Sequence, residues 1–76
     1  MSAGDSDRYK TIGQAIKRKR VEIGLTQEEL ADKAAISISY LTKIEAPNTH
    51  KSFSLEVLFA ISDALGVSAA DLLENI

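Results

Sequence analysis

Apolar residues recur along the chain at helical spacing, in five short runs that turn signals separate. The first run has an apolar residue at intervals of three, four and seven positions: Tyr9, Ile12, Ile16 and Ile23. Gly24 follows this run directly and is a suitable C-cap for helix 1. The polar segment Met1–Asp7 has no apolar anchor. Residues 1–8 are therefore expected to form a flexible N-terminal tail, and residues 9–76 one folded domain.

The second and third runs predict two short helices joined by a tight turn. Thr26 is an N-cap candidate, and Glu29, three residues later, completes a capping box. Helix 2 should end near Lys33 or Ala34. Ser37 is the next N-cap candidate, and helix 3 should run to Glu45, because Pro47 excludes the residue before it from helical geometry. The joint of about three residues between the helices forces a sharp crossing.

The last two runs predict helices 4 and 5. Helix 4 should start after Ser54, end at Gly66 and carry one apolar face: Leu55, Leu58, Ile61 and Leu65. Helix 5 should start after Ser68, with Asp71 at its third position. Since no segment alternates like a strand, the fold class is all-α, a compact bundle of five short helices.

Length and composition exclude several classes of protein. The chain of 76 residues fits one domain and has no cysteine, so it has neither disulfides nor thiolate metal sites. No segment resembles a signal peptide, and no apolar run approaches the ~20 residues of a membrane span. A soluble, cytoplasmic protein is expected. No phosphate loop, carboxylate pair or nucleophile with a base is present, and His50 has no second ligand, so we expect no enzyme, cofactor, metal or small-molecule ligand.

The formal charge of −2 is unevenly distributed. Residues 8–51 hold all nine basic residues and five acidic ones, a net of +4, whereas residues 52–76 hold four acidic residues and no basic one. This asymmetry suits a protein that places a positive face on nucleic acid. It is equally compatible with a soluble helical protein that has an uneven charge distribution.

The apolar positions of helices 2 and 3 leave one face of helix 3 exposed. The positions expected in the core are Leu30, Ala31, Ile36, Leu41 and Ile44. The outer face then contains Ser37, Ile38, Ser39, Thr42 and Lys43. A helix that is anchored on one side and polar at its N-terminal end suits entry into the major groove of DNA.

Three stretches resemble the Cro-repressor-like, or XRE, helix-turn-helix family, which has the lambda-repressor-like fold. They are Ile16–Ala31, Ser39–Glu45 and Ala64–Ser68, and the resemblance covers about residues 11–74. The run Gly-Leu-Thr-Gln-Glu-Glu-Leu-Ala, at its distance before Ile44-Glu45, is the most specific of these signals. The resemblance implies a transcriptional regulator that binds double-stranded DNA as a homodimer on a pseudo-palindromic operator.

The resemblance also implies residue roles. Base contacts are expected from the outer face of helix 3: Ser37, Ile38, Ser39, Thr42 and Lys43. A phosphate contact is expected from Gln27, at the positive end of helix 2. Further phosphate candidates, suggested by their charge or position and not by the resemblance, are Lys17, Arg18, Tyr40 and Lys51. Lys17 and Arg18 could equally be a solvated helix face, and Tyr40 could belong to the core. Arg20 and Glu45 would form a structural ion pair. Candidates for the dimer interface are Phe59, Leu72 and Ile76.

Three positions depart from the family pattern. Ala35 replaces the usual glycine of the turn. Ile38 replaces a polar residue on helix 3, which favours contact with a thymine methyl group. Ala46-Pro47 replaces a basic Arg-Gly pair, leaving His50 and Lys51 as the phosphate candidates of that loop. The layout is most similar to the small controller proteins of restriction–modification systems. An antitoxin or another protein-interaction module with the same fold is the alternative.

Overall fold

The computed structural model describes residues 3–48, 51–74 and 76. It has five helices: α1 Ala3–Ile23, α2 Gln27–Ala34, α3 Ile38–Glu45, α4 Leu55–Leu65 and α5 Ala69–Leu72. These described ranges contain no strand. The all-α fold with five helices is therefore confirmed. No helix within them is long and apolar enough to cross a membrane.

Helix α1 is longer at its N-terminus than predicted. It begins at Ala3, whereas the sequence placed its start at Tyr9 and a flexible tail over residues 1–8. At the other end Ile23, the last member of the apolar run, is 48% exposed, whereas Ile12 and Ile16 are buried. The helix extends beyond the core there, and periodicity cannot show where a core ends.

The start of α2 matches its predicted capping box. The N–H of Glu29 donates to the Thr26 hydroxyl oxygen at 3.0 Å, and the N–H of Thr26 donates to Glu29 Oε1 at 2.9 Å. The hydrogen bond from the backbone N–H of Thr26 to the Glu29 carboxylate is the main reason why the pKa of Glu29 lies below its ordinary value. Because folding favours the ionised form, the Glu29 carboxylate stabilises the folded state at neutral pH. This stabilisation is lost as the pH falls through the lowered pKa of Glu29.

Three serines cap the later helices at the predicted positions. Ser37, Ser54 and Ser68 each accept a hydrogen bond from the N–H three residues further on, at 3.0–3.2 Å. Asp71 accepts from the N–H of Ser68, which completes a second capping box. An N-cap of this kind stabilises a helix by about 1 kcal/mol. In helices of four to eleven residues these caps define the boundaries.

The core lies between α4 and the pair α1–α2, with α3 packed against α1 and α2. Its most deeply buried apolar side chains are Ile16, Leu30, Leu41, Ile44, Ile61 and Leu72. The predicted core of helices 2 and 3 is confirmed except at Ile36, which is only partly buried. Phe53 was not among the predicted core residues; it is 8% exposed and packs edge-on against Tyr9, with ring centroids 5.0 Å apart.

The apolar face of α4 is confirmed at Leu58, Ile61 and Leu65, which are all buried. Leu55 is a correction, because its side chain is 65% exposed. It is the first residue of α4 and lies at the start of the apolar face. The exposure of a leucine here leaves an apolar group available on the surface.

The turn between α2 and α3 keeps left-handed geometry without a glycine. Ala35 has φ 57° and ψ 40°, and its N–H donates to the carbonyl of Asp32 at 3.1 Å. The next N–H, of Ile36, donates to the carbonyl of Ala31 at 3.0 Å. A side chain in this conformation costs roughly 1 kcal/mol, because Cβ crowds the backbone. The departure at Ala35 therefore carries strain but preserves the turn.

Replacing Ala35 with glycine should stabilise the protein by about 0.5–1 kcal/mol, because glycine adopts a positive φ without strain. Thermal unfolding followed by circular dichroism measures the change. The matched control is Ala46→Gly, at the C-cap of α3, where φ is −64°. That substitution should destabilise by a few tenths of a kcal/mol or more. If Ala35→Gly melts at the same or a lower temperature, the turn is not strained.

Candidate nucleic-acid interface

Helix α3 presents a continuous solvent-exposed face. All five residues predicted for it are exposed: Ser37, Ile38, Ser39, Thr42 and Lys43. The opposite side of the helix is anchored by Leu41 and Ile44, which are 0% and 1% exposed. Ile38, the one large apolar residue on this face, is 46% exposed. The structure thus brings the predicted base-reading residues together, while their contacts with bases remain a prediction.

The C-terminal end of α3 is held by a buried ion pair. Arg20 Nε lies 2.9 Å from Glu45 Oε2, and Arg20 Nη2 donates to Oε1 at 2.9 Å. The two side chains are 12% and 1% exposed. Arg20 Nη1 also donates to the carbonyl of Leu25 at 2.8 Å, at the start of the helix-turn-helix segment. One guanidinium therefore connects α1 to the last residue of α3 and to the entry of α2.

A second contact in the same place was not predicted. Gln14 Nε2 donates to the main-chain carbonyl of Glu45 at 2.8 Å. One residue earlier, a Cβ added at Gly13 would collide with the carbonyl oxygen of Ile44. Glycine here allows the backbone of α3 to approach α1 closely. A glycine inside an apolar helical run is the only sequence signal that could have revealed this approach.

Gln27 contacts α3 as well as forming the first turn of α2. Its Nε2 donates to Glu45 Oε1 at 3.1 Å, and its Oε1 accepts from the Thr42 hydroxyl at 3.2 Å. Within the described residues the second N–H of the amide has no acceptor, so it is open to a phosphate. Since Gln27 is at the positive end of α2, the predicted phosphate contact is compatible with this geometry and remains a prediction.

The other phosphate candidates lie on two sides of α3. Lys17 and Arg18 are exposed and share one side of α1 with Gln14, which bonds the end of α3. Lys51 Nζ lies 5.1 Å from the ring centroid of Tyr40, a cation–π arrangement, and Tyr40 is half-buried. His50, the remaining loop candidate, lies outside the described residues.

The dimer candidates need one correction. Leu72 is 1% exposed and belongs to the core, so it is not available to a partner. Leu72 lies in α5, and this helix packs against α4 and α1. The Leu72 side chain is therefore buried within the fold. Phe59 and Ile76 are 50% and 51% exposed and remain candidates. The structure adds Leu55, which lies one helical turn before Phe59 on α4 and is 65% exposed.

Two helices joined by a tight turn, the second presenting a polar face, define a helix-turn-helix protein. The helix-turn-helix family model matches residues 16–72 of this chain. The HTH-type transcriptional regulator SinR of Bacillus subtilis is 43% identical over 64 residues, 84% of this chain and 57% of SinR. The chain belongs to the helix-turn-helix family of the Cro-repressor-like, or XRE, type.

Solved structures agree with this assignment. The restriction-modification controller protein C.AhdI from Aeromonas hydrophila has a TM-score of 0.78 and 26% identity, over 84% of this chain and 94% of that one. C.Esp1396I, solved bound to a 19 base pair DNA duplex, has a TM-score of 0.76 and 32% identity, over 87% of this chain and 85% of that one. The chain spans only 40 to 57% of the length of the first three curated relatives.

Removing one partner of the buried ion pair should strongly destabilise the fold. Glu45→Ala leaves the Arg20 guanidinium buried without its carboxylate, which typically costs about 3–5 kcal/mol. Chemical denaturation measures the loss. The control is Glu22→Ala, which removes an exposed ion pair with Lys19 at 3.7 Å and should change stability by less than about 1 kcal/mol. Equal effects of the two substitutions would contradict a structural role of Glu45.

Proposed function

We propose that this chain is a sequence-specific transcriptional regulator that binds double-stranded DNA through the major groove with helix α3. The observation that carries the proposal is the exposed face of α3 on a helix whose far end is held by Arg20, Gln14 and Gln27. A helix that is already fixed before binding loses little conformational freedom on the DNA, so its contacts contribute more fully to affinity.

The charged residues around α3 fit a phosphate backbone. Lys43 is on the exposed face of α3, and Lys17 and Arg18 lie on one side of α1 together with Gln14, whose amide donates to the Glu45 carbonyl at the end of α3. In our proposal these three groups, with one N–H of Gln27, hold the DNA backbone and fix the register of α3 in the groove. The similarity to C.Esp1396I, which was solved on a DNA duplex, supports this partner.

The regulator is proposed to act as a homodimer on a pseudo-palindromic operator. One helix reads only a few base pairs, and two-fold pairing places two such helices about one DNA turn, ~34 Å, apart. Leu55 and Phe59 form an exposed apolar pair on α4, and Leu55 also lines an open groove with Ile76. We propose that these three residues contact the partner. C.AhdI, of which this chain covers 94%, supports a controller type of regulator.

Substituting Ile38 with arginine should change the bases that the protein selects. Isoleucine can contact only an apolar feature, and in the major groove this is the thymine methyl, whereas arginine prefers guanine. Selection of binding sites from random DNA should show a shift from thymine to guanine at one position of each half-site. The expected change in discrimination is about 1–3 kcal/mol.

Two further variants make this experiment specific. Ile23→Arg adds the same charge at an isoleucine of similar exposure, 48% against 46%, at the far end of α1 and should select the parental operator. Lys43→Ala should weaken binding to all sequences by a similar factor. If Ile38→Arg selects the parental operator too, α3 does not read bases through this position. If neither the parental protein nor the variants select a DNA sequence, the alternative function, an antitoxin or another protein-interaction module, is favoured.

Phe59→Ser should weaken the dimer, because it removes half-exposed aromatic surface from the proposed interface. Analytical ultracentrifugation should show the parental protein as a dimer at about 10–100 µM and the variant shifted toward monomer. Val21→Ser removes an apolar group of similar exposure, 59%, from α1 and should leave the sedimentation unchanged. A parental protein that remains monomeric over this range, with and without DNA, would exclude the homodimer.

A further inference from the structure

The hydroxyl of Thr42 lies at the end of a chain of hydrogen bonds whose direction is fixed. The buried Glu45 carboxylate can only accept hydrogen bonds, so the amide atom of Gln27 at 3.1 Å from Glu45 Oε1 must be its nitrogen. The amide oxygen of Gln27 is then the atom that faces Thr42, at 3.2 Å. Arg20 holds the carboxylate in place from the other side.

The single proton of the Thr42 hydroxyl is therefore committed within the protein. It faces two acceptors, the carbonyl oxygen of Ile38 at 2.8 Å and the amide oxygen of Gln27 at 3.2 Å. Neither acceptor carries a hydrogen, so both compete for the same proton. Within the described residues, no hydrogen bond is donated to the Thr42 oxygen. Its lone pairs remain unpaired and the residue is exposed on α3.

We propose that Thr42 reads DNA as a hydrogen-bond acceptor only and selects a base that offers an amino group in the major groove. This inference rests on the proposed DNA-binding function. Adenine N6 and cytosine N4 carry such donors, whereas guanine O6 and N7 and thymine O4 are acceptors. A threonine hydroxyl in general both donates and accepts, so this preference comes from the internal acceptors at Ile38 and Gln27. Gln27 is a positioning residue for the contact.

The first test compares substitutions at Thr42 by selecting sites from random DNA and then measuring Kd on operators with each of the four bases at the affected position. The parental protein should prefer adenine or cytosine over guanine by about threefold to tenfold, the range of one neutral hydrogen bond. Thr42→Ser keeps the hydroxyl and should keep the preference. Thr42→Val has nearly the same shape without the oxygen and should lose the preference at this position alone.

The matched control is Thr11→Val. Thr11 lies on α1, and its hydroxyl donates to the carbonyl oxygen of Asp7 at 2.9 Å. The Thr42 hydroxyl makes the same kind of bond to Ile38, which is also four residues earlier. Thr11 lies outside the exposed face of α3, so its variant should select the parental operator. An unchanged preference in Thr42→Val would overturn the proposal, as would unchanged affinity for an operator from which the amino group of the selected adenine or cytosine has been removed.

The second test addresses Gln27. Gln27→Leu leaves Ile38 as the internal acceptor but frees the Thr42 side chain to rotate. The ratio of Kd values between guanine and the preferred base should therefore become smaller at the operator position that Thr42 contacts. The ratios at all other operator positions should stay unchanged. In a double-variant cycle with Thr42→Val, the effect of Gln27→Leu at the position that Thr42 contacts should disappear. A uniform loss of affinity with unchanged discrimination would show that Gln27 does not position Thr42. If the parental protein selects no DNA sequence, the proposed function itself fails.

Discussion

The arrangement of the three N-terminal helices depends on one buried carboxylate, that of Glu45. A charge at 1% exposure is tolerated only when its oxygens are hydrogen-bonded and paired, and here Arg20 and Gln27 together satisfy both oxygens. The arginine belongs to α1, the glutamine to α2 and the carboxylate to α3. Satisfying one charge therefore requires all three helices to lie in one relative orientation.

This constraint is needed because α3 could not hold its own shape. Eight residues span about 12 Å, and isolated helices shorter than about 12 residues are marginal in water. Its N-terminal end is set by the left-handed turn at Ala35 and the cap at Ser37, and its C-terminal end by the contacts at Gly13 and Glu45. With both ends fixed, the outer face needs no role in folding. The residues on this face, including Ile38, can therefore vary without a loss of folding stability.

Local signals predicted most of the fold, and the resemblance supplied much of the candidate site. Caps such as Thr26 and Ser68 act over three residues, so they can be recognised without tertiary structure. The contact between Gln14 and the Glu45 carbonyl joins residues 31 positions apart, and neither residue carries a local sign of it. Leu55 and Leu72 show a related limit, because helical period indicates which residues share a face but not where a neighbouring helix covers it.

A net charge of −2 does not oppose binding to a polyanion once distance and screening are considered. The described part of the molecule extends 31 × 24 × 21 Å, whereas exposed charges are largely screened beyond about 8 Å at physiological salt. The acidic residues of the last two helices are exposed; α4 packs mainly against α2, and α5 against α4 and α1, whereas α3 packs on α1 and α2. In the proposed complex, a phosphate beside α3 would therefore interact mainly with Lys43 and the basic residues of α1. Local charge, and not net charge, would then decide the interaction.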